Sequence, residues 1–550
     1  MMRADAPQIA GPVSGSPIIL GIDTGGTFTD LVAMVDRELR VHKLPSTPHD
    51  PALAVIAGLK AILGNAAADA VTYSSTVATN ALLEKKGARV ALIVDAGFED
   101  LIEIGRQNRT ELYALSPERP EPLVPRALRI GVGGRTTIDG KIAAPLSAGD
   151  LTRLRRIAQR SGAEAFAVCL LHSYANPASE NAIAQALAPF GRSLSVSHRI
   201  LAEYREFERL STTVINAYVA PRMVTHLENL ERSLGGGRLR VMQSNGYAIG
   251  TLLAREEPVR TILSGPAAGV VGAGDLVRAM GVDRFITFDM GGTSTDVSLF
   301  DGGPRIRSLS YPNGYAVRTP VIDIHTVGAG GGSIAAVDAG GSLKVGPESA
   351  GANPGPACYG RGALPTVTDA DLVAGRLLAE NFLGGQMRLY PERAESAMAK
   401  LARAMKSDPA TASRGVIRVV NANMERAIRV ITVERGHDPR DFALMAFGGA
   451  GPMHACELAL DLDIRRIVLP RNPGLLCAWG ALGAPLGREY SVTVRETAPQ
   501  LRRLLSRARP LIARARAELM AHGAKLSEIH TDLRADMRYR GQSYEIEVAL

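Results

Sequence analysis

Two short stretches of this 550-residue chain carry the residue types that handle phosphate. They read D-T-G-G-T-F-T-D at Asp23–Asp30 and D-M-G-G-T-S-T-D at Asp289–Asp296, identical at six of eight positions. Consecutive glycines let a backbone approach a ligand closely and take positive φ, so that N–H groups converge on phosphate oxygens. Threonine hydroxyls add side-chain donors. An aspartate at a strand end suits the water shell of Mg²⁺, which keeps several waters and takes few carboxylates. Two such loops facing one another would clamp a triphosphate. Gly25, Gly26, Thr27, Gly291, Gly292 and Thr293 are then the phosphate donors, with Asp23 and Asp289 as catalytic, metal-holding carboxylates. Asp30 and Asp296 close the loops, as turn formers or as catalytic groups.

A third glycine cluster, Gly448-Gly449-Ala450-Gly451-Pro452, follows the apolar run Phe442–Phe447 and leads into a helix near Met453. Its bare backbone can lie against a flat adenine ring or a ribose, which assigns Gly448, Gly449 and Gly451 to a nucleotide, and the three clusters together read as an ATP site. Asp323 and His325 point to one face of a strand and can bind metal or exchange protons near the terminal phosphate. The bland alternative is a hydrogen-bonded pair. Gly330 and Gly331, in the triple glycine that follows, are assigned to the cofactor. Arg106 and Arg109 can hold an anion or form surface salt bridges. His454 and His172 read as structural, and Cys358, in a Pro/Gly-rich loop, more as a buried thiol than as a nucleophile.

The elements that must hold these residues alternate between strand and helix. Strand patterns occupy Pro17–Ile22, Leu31–Val35, Leu39–Leu44, Val90–Val94 and Glu164–Leu171. Helical patterns occupy Pro51–Leu63, a stretch near Phe98–Ile104, and Ser179–Leu187. This is an α/β pattern. The loop motif recurs in a second strand–turn–strand unit, Arg284–Asp289 and Asp296–Phe300, which makes it an internal repeat of two related domains. The length is also too great for one core. The expected divisions are an unstructured tail at 1–16, a first domain at 17–200, a second at 201–488, and the start of a C-terminal β-rich domain at 489–550. The last residues, Arg540–Leu550, alternate as a strand without a closing partner, and the chain reads as truncated there.

Composition narrows the class. With 46% hydrophobic and 21% charged residues the chain reads as globular. Much of the +8 net charge lies in Arg495–Arg516, where Leu and Ala recur at helical spacing. The arginines therefore line the solvated face of an amphipathic helix. No aromatics interleave with them, which argues against nucleic acid. Cys169, Cys358, Cys456 and Cys477 lie far apart, which removes zinc-ribbon and dithiol readings and leaves buried reduced thiols. No run approaches the roughly 18 apolar residues of a membrane helix, and no signal peptide is visible, so the cytoplasm is expected.

Further motifs sharpen the reading: Thr76–Gly87, Gly105–Arg109, Arg205–Arg209, Asn216–Tyr218, Ser264–Gly269, Val327–Ile334, Gly346–Gly351, Pro354–Gly360 and Thr366–Ala370. With the three glycine clusters, they resemble the A-type, ATP-binding subunits of the hydantoinase/oxoprolinase family, within the actin/Hsp70/sugar-kinase superfamily. The resemblance implies two duplicated actin/Hsp70-like (ribonuclease H-like) ATPase domains with a cleft between them. It also implies ATP and Mg²⁺, phosphorylation of a carbonyl oxygen in a small cyclic amide or ketone, and a hetero-oligomer with a B-type partner subunit. The favoured reaction is opening of a hydantoin- or 5-oxoproline-like ring. An ATP-using subunit of an acetone/acetophenone-type carboxylase, or a nucleotide-binding scaffold, are the alternatives. The chain departs from the family pattern at Tyr73-Ser74-Ser75, where His-Gly-Thr is usual, at Thr110, where a proline is usual, and at Ser179, where a histidine is common.

Overall fold

In the computed structural model, which describes residues 2–4, 17–47, 50–64, 66–108, 113–115, 120–234, 238–497 and 499–550, strand Ile19–Thr24 is central to a six-stranded sheet. It runs antiparallel to Phe28–Val35, which in turn pairs with Glu38–Pro45. On its other side lie Ala70–Ser75 and then Arg238–Met242, both parallel, with Ala248–Gly250 at the edge. These inner strands are buried on both faces, as at Leu20, Gly21 and Ile22 and at Val71, Thr72 and Tyr73.

Counted in chain order, the first five strands of this sheet stand 3-2-1-4-5. The second sheet contains Arg284–Met290, Thr295–Asp301, Ile324–Val327, Ala443–Phe447 and Ile467–Val468, and it also stands 3-2-1-4-5 with the same strand directions. The eight-residue repeat in the sequence therefore marks a repeat of whole sheets.

Each half carries its own insertion. In the first, between the fourth and fifth strands, Ser193–Val196, Ala165–Val168, Val90–Asp95 and Arg129–Val132 form a parallel sheet. The long helix Glu206–Ser233 then returns the chain. In the second, a hairpin, Ser333–Val337 with Leu343–Ser349, and helices Val367–Val373, Pro391–Ala404 and Pro409–Ile431 stand between the third and fourth strands. Helix Pro51–Leu63 has the bounds its periodicity implied: Asp50 caps it, accepting from the Ala52 N–H at 3.1 Å, and Pro51 opens it.

The halves meet through helices Ser264–Arg278 and Leu476–Gly483. A Cβ on Gly480 would stand 1.8 Å from the Ala268 carbonyl oxygen, so this approach admits only glycine there.

Several expectations change. The arginine-rich helix begins at Leu501, not Arg495, and Arg495 itself takes a left-handed φ of 52°. The helix near Phe98–Ile104 is a single turn, Leu101–Ile104. The terminal strand Ile546–Ala549 has a partner, Arg534–Met537. Within the expected tail, Met2–Ala4 is a strand between Gly487–Arg488 and Ile529–Thr531, and the rest of that tail lies outside the described residues. Cys169 and Cys358 are buried, but Cys456 is exposed, because its helix turns His454, Ala455 and Leu458 inward instead. Among the described residues, no helix is long and apolar enough to cross a membrane.

Candidate functional site

Strand register builds the site. Asp23 stands directly opposite Asp30, and Asp289 directly opposite Asp296. Each loop closes with the same bond: the Gly25 N–H donates to the Phe28 carbonyl at 3.0 Å, and the Gly291 N–H to that of Ser294 at 3.0 Å. The loops face one another, since a Cβ on Gly292 would meet Thr27 Oγ1 at 3.3 Å. Around the Cβ positions of Gly26 and Gly449 there is open space.

Each carboxylate pair belongs to a row across four strands. In the first sheet the row is Ser74–Asp23–Asp30–Lys43. In the second it is Phe447–Asp289–Asp296–Thr326. The Ser74 hydroxyl donates to Asp23, Lys43 Nζ lies 2.6 Å from Asp30, and the Thr326 hydroxyl donates to Asp296. Burial pushes the carboxyls of Asp23 and Asp289 up to about 7 and that of Asp296 up to about 6. Neighbouring carboxylates add to this at Asp289, where Asp296 and Asp23 both contribute. Burial also raises Asp30, against the attraction of Lys43.

Such a set of crowded, desolvated carboxylates at an open cleft fits a hard divalent cation. Among the described residues no three His, Cys, Asp or Glu side chains are placed to form a metal cage by themselves. A cation here would complete its shell with water and phosphate oxygens, the mode Mg²⁺ favours.

The remaining candidates fall into different places. Gly448 lies against the second carboxylate: its φ is 81°, and a Cβ there would be 2.3 Å from Asp289 Oδ1. The Ala450 N–H ties this turn to the Met290 carbonyl at 2.9 Å, and Gly451 opens the helix Gly451–Asp461. Gly448→Ala therefore combines backbone strain with a collision at Asp289. We expect it to cut ATP turnover by about 100-fold or more, measured as ADP release. Gly330 and Gly331 are buried behind the second loop. The Gly331 N–H donates to the Gly291 carbonyl at 3.0 Å, and a Cβ on Gly330 would be 2.6 Å from the Thr293 backbone.

Asp323 and His325 are not brought to the loops. Asp323 is buried between Arg307, at 2.8 Å, and Arg435. It sits three residues along the strand from Thr326, roughly 10 Å from the Asp296 row. His325 pairs opposite Val297, and burial and then Arg435 lower its pKa. Strand register gives Thr326, not His325, the position at Asp296. Arg106 forms a two-point ion pair with Glu208 at 2.8 and 2.6 Å, while Arg109 and Thr110 lie outside the described residues. Cys358 is buried, its thiol pushed up by burial and by Asp369. His454 is buried with Nδ1 2.8 Å from Asn421 Oδ1. Tyr73 is buried against His226 at 2.9 Å, so of the departing Tyr73-Ser74-Ser75 it is Ser74 that reaches Asp23.

Three site residues escaped sequence reasoning: Ser74, Lys43 and Cys477. The Cys477 thiol donates to Asp289 Oδ2 at 3.4 Å, and burial together with Asp289, Asp23 and Asp30 raises its pKa. Lys43 was legible in principle, because a two-residue turn at Asp36-Arg37 sets Asp30 opposite Lys43. Both turn residues have positive φ without being Asn or Gly, so the usual hairpin signal was missing.

Two sheets of one topology, with equivalent loops meeting across a cleft, define the actin/Hsp70 class of ATPase fold. Residues 19–190 match the model of the hydantoinase/oxoprolinase N-terminal region, and residues 209–490 match that of hydantoinase/oxoprolinase. The chain belongs to the hydantoinase/oxoprolinase family. It is 37% identical to the caprolactamase subunit alpha of Pseudomonas jessenii, over 96% of this chain and 80% of that one. The crystal structure of that ATP-dependent caprolactamase superposes with a TM-score of 0.81, at 34% identity, covering 97% of this chain and 81% of the other. The acetophenone carboxylase gamma subunit of Aromatoleum aromaticum is 33% identical over 95% of this chain and 77% of its own length. A nucleotide-free acetone carboxylase structure superposes with a TM-score of 0.81 at 27% identity, covering 100% of this chain and 81% of the other.

Proposed function

We propose that this chain is the ATP-using subunit of a cyclic-amide hydrolase. It binds Mg²⁺-ATP between the two loops and phosphorylates the carbonyl oxygen of a lactam- or hydantoin-like ring. The observation that carries this reading is the face-to-face placement of two equivalent loops, each flanked by a pair of carboxylates set opposite one another across two strands.

An amide carbonyl is a poor electrophile, and the phosphoryl group supplied by ATP makes its oxygen a leaving group. The chain's part is positioning and charge neutralisation. The N–H groups of Gly26, Thr27, Gly292 and Thr293 and the two threonine hydroxyls orient the phosphates, while Gly25 and Gly291, whose own N–H groups close the loops, shape them. Asp23 and Asp289 hold the cation, and the open space at Gly449 receives the adenosine. Ser74, on the strand beside Asp23, and Cys477, in the first turn of helix Leu476–Gly483, hold the two metal-binding carboxylates in place.

A ring amide is favoured over a ketone because identity to the caprolactamase subunit, 37%, exceeds that to the acetophenone carboxylase subunit, 33%. Both relatives are named as subunits, which supports a B-type partner that completes the reaction. Use of ATP supports a cytoplasmic assembly.

The test is ADP release by the purified chain with Mg²⁺-ATP, with and without a B-type partner, against caprolactam, hydantoin, 5-oxoproline, and ketone plus bicarbonate. Stimulation by a ring amide is expected. Stimulation only by ketone plus bicarbonate would replace this reading with that of a carboxylase subunit. Tight ATP binding without stimulated turnover in any mixture would replace it with that of a scaffold.

A further inference from the structure

The two carboxylate rows are equivalent in backbone but not in charge. At the third strand the second sheet has Thr326, a neutral hydroxyl, and the first has Lys43. This lysine makes contacts on both sides of the cleft. Its Nζ lies 2.6 Å from Asp30 and donates to the carbonyl of Gly474 at 3.1 Å. It also stands over the Phe28 ring of the first loop, 5.1 Å from the centroid.

Gly474 belongs to the turn that follows the last strand of the second sheet. A Cβ built on it would meet the Gly449 Cα and Lys43 Nζ, each at 3.9 Å. The neighbouring Pro473 carbonyl accepts from the Gly448 N–H at 3.0 Å. One ammonium group therefore joins the first phosphate loop to the backbone beside the proposed adenosine turn.

We propose that Lys43 is a positioning residue that latches the two domains together across the nucleotide cleft, setting the closed geometry in which a triphosphate is held by both loops. The latch rests on the ATP-site reading above. It works by geometry as much as by charge. A lysine stem is long enough to reach from the sheet to the opposite turn. The ammonium has three donors, so it can hold the Asp30 carboxylate and the Gly474 carbonyl at once. Asp30 anchors the lysine on its own domain, which leaves the carbonyl bond as the part that closing makes and opening breaks.

The experiment compares wild type with Lys43→Met, Lys43→Arg and the double variant Asp30→Asn/Lys43→Met. Each is measured for Mg²⁺-ATP affinity by calorimetry, for KM and kcat of ADP release, and for compaction on adding Mg²⁺-ATP by small-angle scattering. Loss of one charge-assisted hydrogen bond predicts an affinity for Mg²⁺-ATP lower by about tenfold or more in Lys43→Met. KM rises accordingly, and compaction is reduced. Lys43→Arg restores a large part of each. The double variant removes the pair without leaving an unpaired carboxylate, so it folds and melts like wild type but still fails to compact. Wild-type affinity and compaction in Lys43→Met or in the double variant would overturn the latch. Recovery of both in the double variant alone would likewise overturn it, by showing that Lys43 serves only to neutralise Asp30. Absence of Mg²⁺-ATP binding in wild type would instead remove the underlying ATP reading.

Discussion

Asp289→Asn is expected to lower ATP turnover by about 1,000-fold or more while raising the melting temperature of the ligand-free protein at pH 8. The first effect follows from its proposed role, because asparagine keeps the shape but cannot supply the negative charge that holds a cation in place. The second follows from the environment of the carboxyl. Burial, then the charges of Asp296 and Asp23, raise it from 3.8 to about 7.

A carboxyl raised in this way binds more protons in the folded state than in the unfolded one. Stability contributed by its protonated form is therefore complete below the unfolded value of 3.8 and is lost as pH rises to about 7. Above that the ionised group costs the fold up to about 4 kcal/mol, and less than this because the carboxylate lines a cleft open to water. Asparagine removes the cost. The gain in melting temperature should shrink toward pH 4, and Mg²⁺-ATP should stabilise the wild type but not the variant. Asp23→Asn should behave alike, since Asp23 is raised to about 7 by the same leading cause. Wild-type turnover, or a lower melting temperature at pH 8, would refute the assignment.

Gly480→Ala is expected to destabilise the protein by about 3 kcal/mol or more, although it adds a single methyl group. The new Cβ would stand 1.8 Å from the Ala268 carbonyl oxygen and 2.7 Å from the Gly272 nitrogen, both backbone atoms that cannot rotate away. Relief requires helix Leu476–Gly483 to move off helix Ser264–Arg278. The same helix carries Cys477 to Asp289 at its first turn. Activity should therefore fall at temperatures where circular dichroism still reports a folded chain. Gly303→Ala, with no atom within 4 Å of its Cβ position, is the control and should stay within about 0.5 kcal/mol of wild type. A Gly480→Ala variant that melts with that control would show that the helix contact is not tight.

Much of the site was readable in one dimension. The octapeptides at Asp23 and Asp289 display their glycines, threonines and end carboxylates in the order a phosphate-binding hairpin needs, and their repetition announced two like domains. The motifs from Thr76 to Ala370 indicated the hydantoinase/oxoprolinase family. These features are legible because they are local: strand, turn and strand are contiguous, and the residue types state what the backbone must do.

What the sequence could not decide were relations between segments far apart in the chain. The assignment of Asp323 and His325 rested on strand alternation alone. Alternation tells which residues share a face but not how far along the neighbouring strand they lie, and register puts Thr326 at Asp296. Gly330 and Gly331 looked like ligand-binding glycines, yet they pack behind the second loop, because a close backbone approach to another backbone needs the same residue as a close approach to phosphate. Ser74 and Cys477 reach the carboxylates only after distant strands and a helix have been placed, and Lys43, set opposite Asp30 by a local hairpin, reaches Gly474 only in the folded chain. By itself, then, the sequence determined the two loops and the duplication, because those are encoded in neighbouring residues. Only the tertiary structure decided which side chains hold the carboxylates and what joins the domains, because strand register and helix packing are set by the whole core.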